Sequence, residues 1–576
     1  MIHHTMKPNF QVLGCPALQS RFNIARWCRV GLLAGASLLA GCAGPGLPGW
    51  FAAPVTATAT VASTFGTGAP SCTGWFDQLD AVIDQAGVRD GSAHRLKAYP
   101  FLRVDRFLAA FGQEVTSQPL AFEVWLERLA ELDRQARAVE LANLPLQFVA
   151  LLGSPANGLP SSQGTEAIYD KQAIRTKTQR CASLAQATLI QTLSEPNETG
   201  QRLRESLATL ARVPDDYSSV KRAVGLYMLT RQPFFSGVKR WQLSAADKFA
   251  ASALTQTPTP LRLRYRPAGE PITVPELVAL YARRQSDALG MARLSTQEEA
   301  SLLRAYAPDL EIETSGAFDH FGKLFWAAAA PTVQAGQQGV AAPTVETGKP
   351  VMYQRLAYTR HHGQTLMQLV YSVWFPERPA TSGVDILSGK LDSVVLRLTL
   401  APDGTPWLYD SIHSCGCYHM FFTTPGAVLK PAPQARVEWA FVPASLPSMA
   451  VGQRVVMRLA SGSHYVEGLR ALPAKPTGSS SDVAPPASST AYALLSEQAL
   501  RSLLVVDAPS GVTRSAFWPN GIVPGTERGE RLLFWPMGID SPGAMRQWGR
   551  QPTAFVGRRH FDDADLLERR FEFGPK

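Results

Sequence analysis

Apolar positions recur at helical spacing through the first half of the chain. Phe122, Trp125, Leu126, Leu129, Leu132 and Ala136 fall on one face of a helix, whereas Glu123, Glu127, Arg128, Glu131 and Arg134 fall mostly elsewhere, which predicts an amphipathic helix. Similar patterns cover 184–193, 201–211, 217–230, 274–289 and 297–306, with Pro145, Pro155, Pro160, Pro196, Pro214 and Pro233 between them as breakers. Residues 71–310 therefore predict an all-helical N-terminal domain.

A connecting segment and linker follows at 311–349, and from 331 onward it is dominated by Gln, Gly, Ala, Thr and Pro. Beyond it the pattern changes. Val394-Val395-Leu396-Arg397-Leu398-Thr399-Leu400 leads through Pro402-Asp403-Gly404 to Trp407-Leu408-Tyr409, two β-prone runs joined by a turn-forming Asp-Gly, which predicts a hairpin. The β character continues at 437–442 and 454–459, and a Ser-, Pro- and Gly-rich stretch at 474–490 predicts a surface insertion. Residues 350–576 thus predict a β-rich, mainly antiparallel C-terminal domain, and the chain as a whole an α+β protein.

The first 41 residues carry Lys7, Arg21, Arg26 and Arg29 and no acidic residue. The apolar run from Val30 to Ala40 is far shorter than the roughly 20 residues of a membrane-spanning helix. It closes in Leu39-Ala40-Gly41-Cys42, which resembles the lipobox of bacterial lipoproteins. The resemblance implies that 1–41 is a signal peptide, cut before Cys42, and that the Cys42 thiol is acylated, anchoring the mature chain to a membrane by lipid. Ala43 stands where Asp would favour inner-membrane retention, so the resemblance implies the outer membrane, periplasmic side. Residues 42–70, rich in Ala, Thr, Pro and Gly and uncharged, read as a flexible tether.

With 576 residues, 45% hydrophobic and 18% charged, the chain can bury cores of several domains' size, which excludes disordered and collagen-like classes. Its formal charge of +9 falls to about +5 without the four leader cations, too thinly spread to imply nucleic acid. Of seven cysteines, Cys15 and Cys28 leave with the leader and Cys42 takes lipid. Cys72, Cys181, Cys415 and Cys417 remain, an even set that suits an oxidising compartment. Cys72 and Cys181 share the N-terminal half and are expected to pair, although four cysteines permit three connectivities.

The sharpest chemical feature is His413-Ser414-Cys415-Gly416-Cys417-Tyr418-His419, with a soft or borderline ligand at every second position. On a straight strand, at about 3.3 Å per residue, the outer histidines would lie roughly 20 Å apart, beyond the span of one ion. A metal site therefore requires the chain to curl, and Gly416 is the residue that permits it. His413, Cys415, Cys417 and His419 would then suit zinc or copper, with His361, His362 or Asp410 as additional ligands. Two other readings stay open: a disulfide involving Cys415 or Cys417, and buried free thiols with hydrogen-bonded histidines.

Other clusters are less specific. His560-Phe561-Asp562-Asp563-Ala564-Asp565 offers an imidazole beside carboxylates, or Asp562 as the cap of a terminal helix. Arg360-His361-His362-Gly363 is equally a turn entering a strand. Phe517-Trp518-Pro519-Asn520-Gly521-Ile522 is echoed by Phe534-Trp535-Pro536-Met537-Gly538-Ile539, either two aromatic platforms for a glycan or two equivalent packed turns. No Gly-x-Ser-x-Gly elbow, phosphate loop or His-Glu-x-x-His motif is present. The expectation is a metal-binding envelope lipoprotein, with metal-assisted hydrolysis of an envelope substrate as its catalytic form. The alternatives are a disulfide-stabilised, non-enzymatic scaffold for an envelope partner, and Cys-x-Cys thiol-disulfide exchange.

Overall fold

The sequence patterns resolve into a helical region with its own apolar core and one large sheet with another. The structure is a computed structural model that describes residues 72, 74–152, 164–194, 198–254, 262–327, 342–434, 436–473, 489–506, 508 and 511–574. The signal peptide, Cys42, the tether and 474–488 of the expected insertion lie outside the described residues.

The helical pattern of 122–136 lies in helix Pro119–Asn143, where Phe122, Trp125, Leu126, Leu129 and Ala136 are buried as their spacing requires. A second stripe on the same helix was not legible. Asp133, Arg137 and Glu140 are also buried, because strand Tyr99–Val104 sets Arg103 against them: Arg103 Nε lies 3.0 Å from Asp133 and one terminal nitrogen 2.8 Å from Glu140. Cys72 and Cys181 are bonded, with Cα atoms 5.5 Å apart, and the bond ties the start of helix Trp75–Ala86 to helix Gly164–Ser194.

Eleven strands form the sheet: β1 Arg262–Pro267, β2 Asp309–Glu313, β3 Val351–His361, β4 Gln364–Arg378, β5 Gly389–Leu400, β6 Pro406–His413, β7 Met420–Thr423, β8 Ala444–Ser445, β9 Val455–Leu459, β10 Val466–Ala471 and β11 Ser489–Ser496. Their order is β8-β7-β6-β5-β4-β3-β11-β1-β2-β9-β10. Neighbours are mostly antiparallel; β7/β8, β3/β11, β11/β1 and β2/β9 are parallel. The sheet curls into a nearly closed barrel-like wall. Helix Tyr227–Leu254 lies against both of its ends: the Phe249 and Phe422 rings are 5.6 Å apart, and Lys248 reaches Glu467 of β10 at 2.7 Å.

The inner face packs Leu396, Leu398, Tyr409, Phe422, Met457 and Leu459 into one core. The outer face is also covered: Val370, Val395 and Ile412 pack against Phe561 of the C-terminal segment, so β5 is almost continuously buried and reads as apolar without alternation. The predicted 394–409 hairpin is β5–β6, with Gly404 at φ 92° in its turn.

An α+β chain is what the structure shows, but the sequence boundaries need correction. β1 and β2 come from the stretch expected to be helical or linking, and strands Lys323–Trp326 and Pro343–Glu346 pair within the expected linker. All four are short, and period-two runs of four to six residues are masked by the longer helices around them. The helical and sheet regions form one compact unit, joined by Asp90 with Arg501 and by Asn143 donating to the Arg501 carbonyl at 2.8 Å. The predicted 217–230 helix is broken at Gly225 and Leu226 (φ 47°), and 437–442 forms no strand. Among the described residues no helix is long and apolar enough to cross a membrane.

Candidate functional site

The expected bend at Gly416 is present. Gly416 N–H donates to the His413 carbonyl at 2.7 Å, His413 N–H to the Cys417 carbonyl at 3.0 Å, and Gly416 adopts φ 92°. The four donors nevertheless do not converge, which corrects the expected ligand set. His413 ends β6 on the inner face, where its Nδ1 lies 3.3 Å from Asp392. His419 precedes β7 on the outer face, its Nε2 2.8 Å from Asp410 and its ring stacked on Phe421. Cys415 is buried in a third, apolar cluster with Leu324, Trp374 and Met545, and Cys417 packs against it. A turn that joins two strands across a sheet distributes its flanking residues to both faces, so a curled backbone was not sufficient.

Asp410 joins no converging group of metal-ligating side chains among the described residues: Arg397 holds it through two bonds, 2.9 and 2.6 Å, and His419 takes its remaining side. Burial opposes the charge on Asp410, but the Arg397 guanidinium outweighs it and holds the carboxyl below its usual range. Burial lowers His419 to about 3, so its imidazole is neutral. Cys415 and Cys417 are free thiols, and the hydrogen bond between them together with burial pushes Cys417 well above the usual thiol range.

A buried ionic chain lies beside the bend. His464 sits between Asp392 (Nδ1, 2.9 Å) and Asp319 (Nε2, 3.5 Å), stacked on Phe375, while Asp392 also takes Arg528 at 3.2 Å. Burial opposes protonation of His464, but the two carboxylates raise it above the usual value. This chain ties β5, β6, the β9–β10 turn and the C-terminal segment together. His464 and Asp319 are 145 positions apart in sequence, with no spacing signal to connect them.

The two remaining histidines expected as additional ligands do come together. β3 and β4 are joined by a two-residue turn, with His361 paired to Gln364 and His362 (φ 48°) and Gly363 (φ 76°) both left-handed, the conformation a tight hairpin demands. His361 is buried and His362 is exposed. The third member, Glu572, comes from strand Phe571–Phe573, and ligand atoms of His361, His362 and Glu572 all lie within 4.8 Å of one another. Among the described residues this is the one group of three or more such side chains that meets that distance. His361 Nε2 lies 3.2 Å from the Phe571 carbonyl, and His362 Nε2 3.1 Å from Glu572. Burial lowers His361, favouring the neutral imidazole that ligates; the Lys430 hydrogen bond, with His362, lowers Glu572 to about 2. Glu572 was missed because it is 210 residues from the hairpin and marked only by its place in Phe-Glu-Phe.

This hairpin stands at the rim of an open groove of about 770 Å³. Arg360, Gly363 and Glu568 line the groove, and Glu568 accepts from His362 N–H at 3.2 Å. On another wall, His560 lies 3.4 Å from Asp563 and 3.5 Å from Asp216. Asp562 caps no terminal helix: 561–570 is a series of turns, and Asp563 accepts from His560 N–H at 2.7 Å. The Phe-Trp-Pro repeats form two equivalent turns. Gly521 and Gly538 are left-handed and donate to Trp518 and Trp535 carbonyls at 2.8 and 2.9 Å, and Ile522 and Ile539 are buried.

No family model, curated protein or solved structure matches the chain.

Proposed function

We propose that the chain is a lipid-anchored envelope protein that holds a zinc or copper ion at His361, His362 and Glu572. The observation that carries the reading is the convergence of these three side chains, two from a hairpin turn and one from a distant strand. Two imidazoles and a carboxylate are a zinc-binding set. With three protein ligands a tetrahedral ion keeps one position for water, and the adjoining groove offers space for a substrate, which supports metal-assisted hydrolysis of an envelope substrate. The lipobox at Cys42 supports attachment to the outer membrane on its periplasmic side, and the Cys72–Cys181 bond fits that oxidising compartment.

Protein purified without chelator should carry close to one zinc or copper per chain. His362→Ala should lose it and Cys415→Ser should keep it; wild-type protein without stoichiometric metal ends the reading.

A second reading, the non-enzymatic scaffold, is favoured by the Cys72–Cys181 bond and the buried Arg103, Asp133 and Glu140 cluster, which stiffen the helical region as a docking surface for an envelope protein or glycan. Its signature is a folded, metal-free protein. Thiol-disulfide exchange is opposed by the raised Cys417 thiol, since the thiolate is the reacting form.

A further inference from the structure

The broken helical segment 217–230 leaves an apolar surface unaccounted for by the metal site. Helix Ser219–Val224 packs on the turn Trp535–Met537: Ser218 N–H donates to the Gly538 carbonyl at 2.8 Å, and Gly225 lies so close to Pro536 that a Cβ would come within 2.6 Å of it. Behind them Phe234 meets Phe534, ring centres 5.2 Å apart. On the joint outer surface Val220 is 73% exposed, Leu229 70% and Leu532 73%, and Val224, Leu226 and Leu533 are exposed with them. Aliphatic side chains that could have been turned inward are concentrated here, and a patch of this kind marks an interaction site.

Cations outnumber acids around it. Residues 218–254 contain Lys221, Arg222, Arg231, Lys239, Arg240 and Lys248 against the acid Asp247, and Arg531 lies in 531–537 between Glu530 and Asp540. Lys221 is paired with Asp540 and Lys248 with Glu467, so Arg222, Arg231, Lys239 and Arg531 carry the excess outside those two pairs. An apolar surface bordered by this excess of cations is complementary to a bilayer with anionic headgroups: the aliphatic groups enter the headgroup boundary and the cations outside the two ion pairs meet phosphates. The proposed anchor brings such a surface within reach. Residues 43–71 separate Cys42 from the first described residue, and 29 residues can span at most about 100 Å, so a lipid on Cys42 confines the folded body near the membrane without choosing which face meets it.

We infer that the surface formed by 219–229 and 531–537 is that face, a second membrane contact that docks the body on an anionic bilayer. The inference rests on the lipid-anchor reading only for the choice of occupant; the patch itself is independent of acylation. Docking would set the orientation of the groove and hairpin relative to the lipid.

The test uses the chain from residue 43 onward, which lacks the acylated cysteine and keeps every described residue. It should co-sediment with vesicles of phosphatidylethanolamine and phosphatidylglycerol and at least about tenfold more weakly with pure phosphatidylcholine or in high salt, where surface charge is screened. The triple variant Leu226→Gln, Leu229→Gln, Leu532→Gln replaces exposed groups only and should lose about tenfold or more of the binding, with an unchanged circular dichroism spectrum. Tryptophan quenching by brominated acyl chains, diminished in Trp535→Phe, gives a second readout on the folded protein. Absence of binding, or binding and quenching that the variants leave unchanged, overturns the inference. So does self-association abolished by the triple variant, which would make a second copy the occupant. Failure of the anchor reading is separate: it appears as an unmodified Cys42 in the mass of the envelope-extracted protein.

Discussion

His464 Nδ1 lies 2.9 Å from Asp392 Oδ2, and both side chains are fully buried inside the barrel. Asp392 also receives Arg528 and His413, so its removal would strand three buried partners. Asp392→Ala should destabilise the protein by about 3–5 kcal/mol, the range for breaking a buried ion pair from one side. His464→Phe leaves Arg528 on Asp392 and keeps a ring over Phe375, so it should cost less. Urea unfolding midpoints test the order; an Asp392→Ala protein as stable as a surface variant would remove this chain from the account.

Two histidines should give opposite pH dependences. An unfolded histidine titrates near about 6.5. His419 titrates at about 3 in the folded protein, so its contribution is complete above about 6.5 and is lost as pH falls toward 3, where only the unfolded chain binds the proton. His464 is raised, so its contribution is present below about 6.5 and is lost as pH rises through its folded value. The loss of stability on acidification should be smaller in His419→Gln, and the loss on alkalinisation smaller in His464→Gln. Parallel pH profiles for wild type and both variants would contradict this.

Gly416 and Gly363 are both left-handed, yet only one is hemmed in. A Cβ at Gly416 would overlap the Pro552 carbonyl oxygen, whereas at Gly363 it would meet nothing within 4 Å. Gly363→Ala should cost only backbone strain, about 1–2 kcal/mol. Gly416→Ala should cost clearly more, because the backbone of 551–552 must also move. Thermal denaturation of the two variants checks the contrast, and equal losses would mean that the bend is not locked by the C-terminal segment.

The Cys72–Cys181 bond should contribute about 2–5 kcal/mol. Unfolded, unreduced protein from residue 43 onward should expose two thiols, from Cys415 and Cys417, and Cys72→Ser should raise the count to three. A count of zero in the wild type would place a disulfide at Cys415 and Cys417 instead.

The helices were legible where a long amphipathic repeat met an apolar core, as at 119–143, and the β5–β6 hairpin where β-prone runs met Asp-Gly. β1 and β2 were not, because strands of five or six residues borrow their partners from distant parts of the chain. The bend at Gly416 was also legible, since glycine reports backbone conformation directly. The direction of His413 and His419 was not, because it depends on which sheet face each residue joins. His361 and His362 were visible as a pair, but Glu572, which completes the cluster, reaches them only through the tertiary fold.

X-ray absorption at the metal edge of protein purified without chelator reads the atoms around the ion at His361, His362 and Glu572. The expected result is a bound zinc or copper with imidazole and oxygen neighbours, for zinc at about 2.0–2.2 Å, lost in His362→Ala. A protein without metal, or a sulfur shell at about 2.3 Å from Cys415 and Cys417, would contradict it.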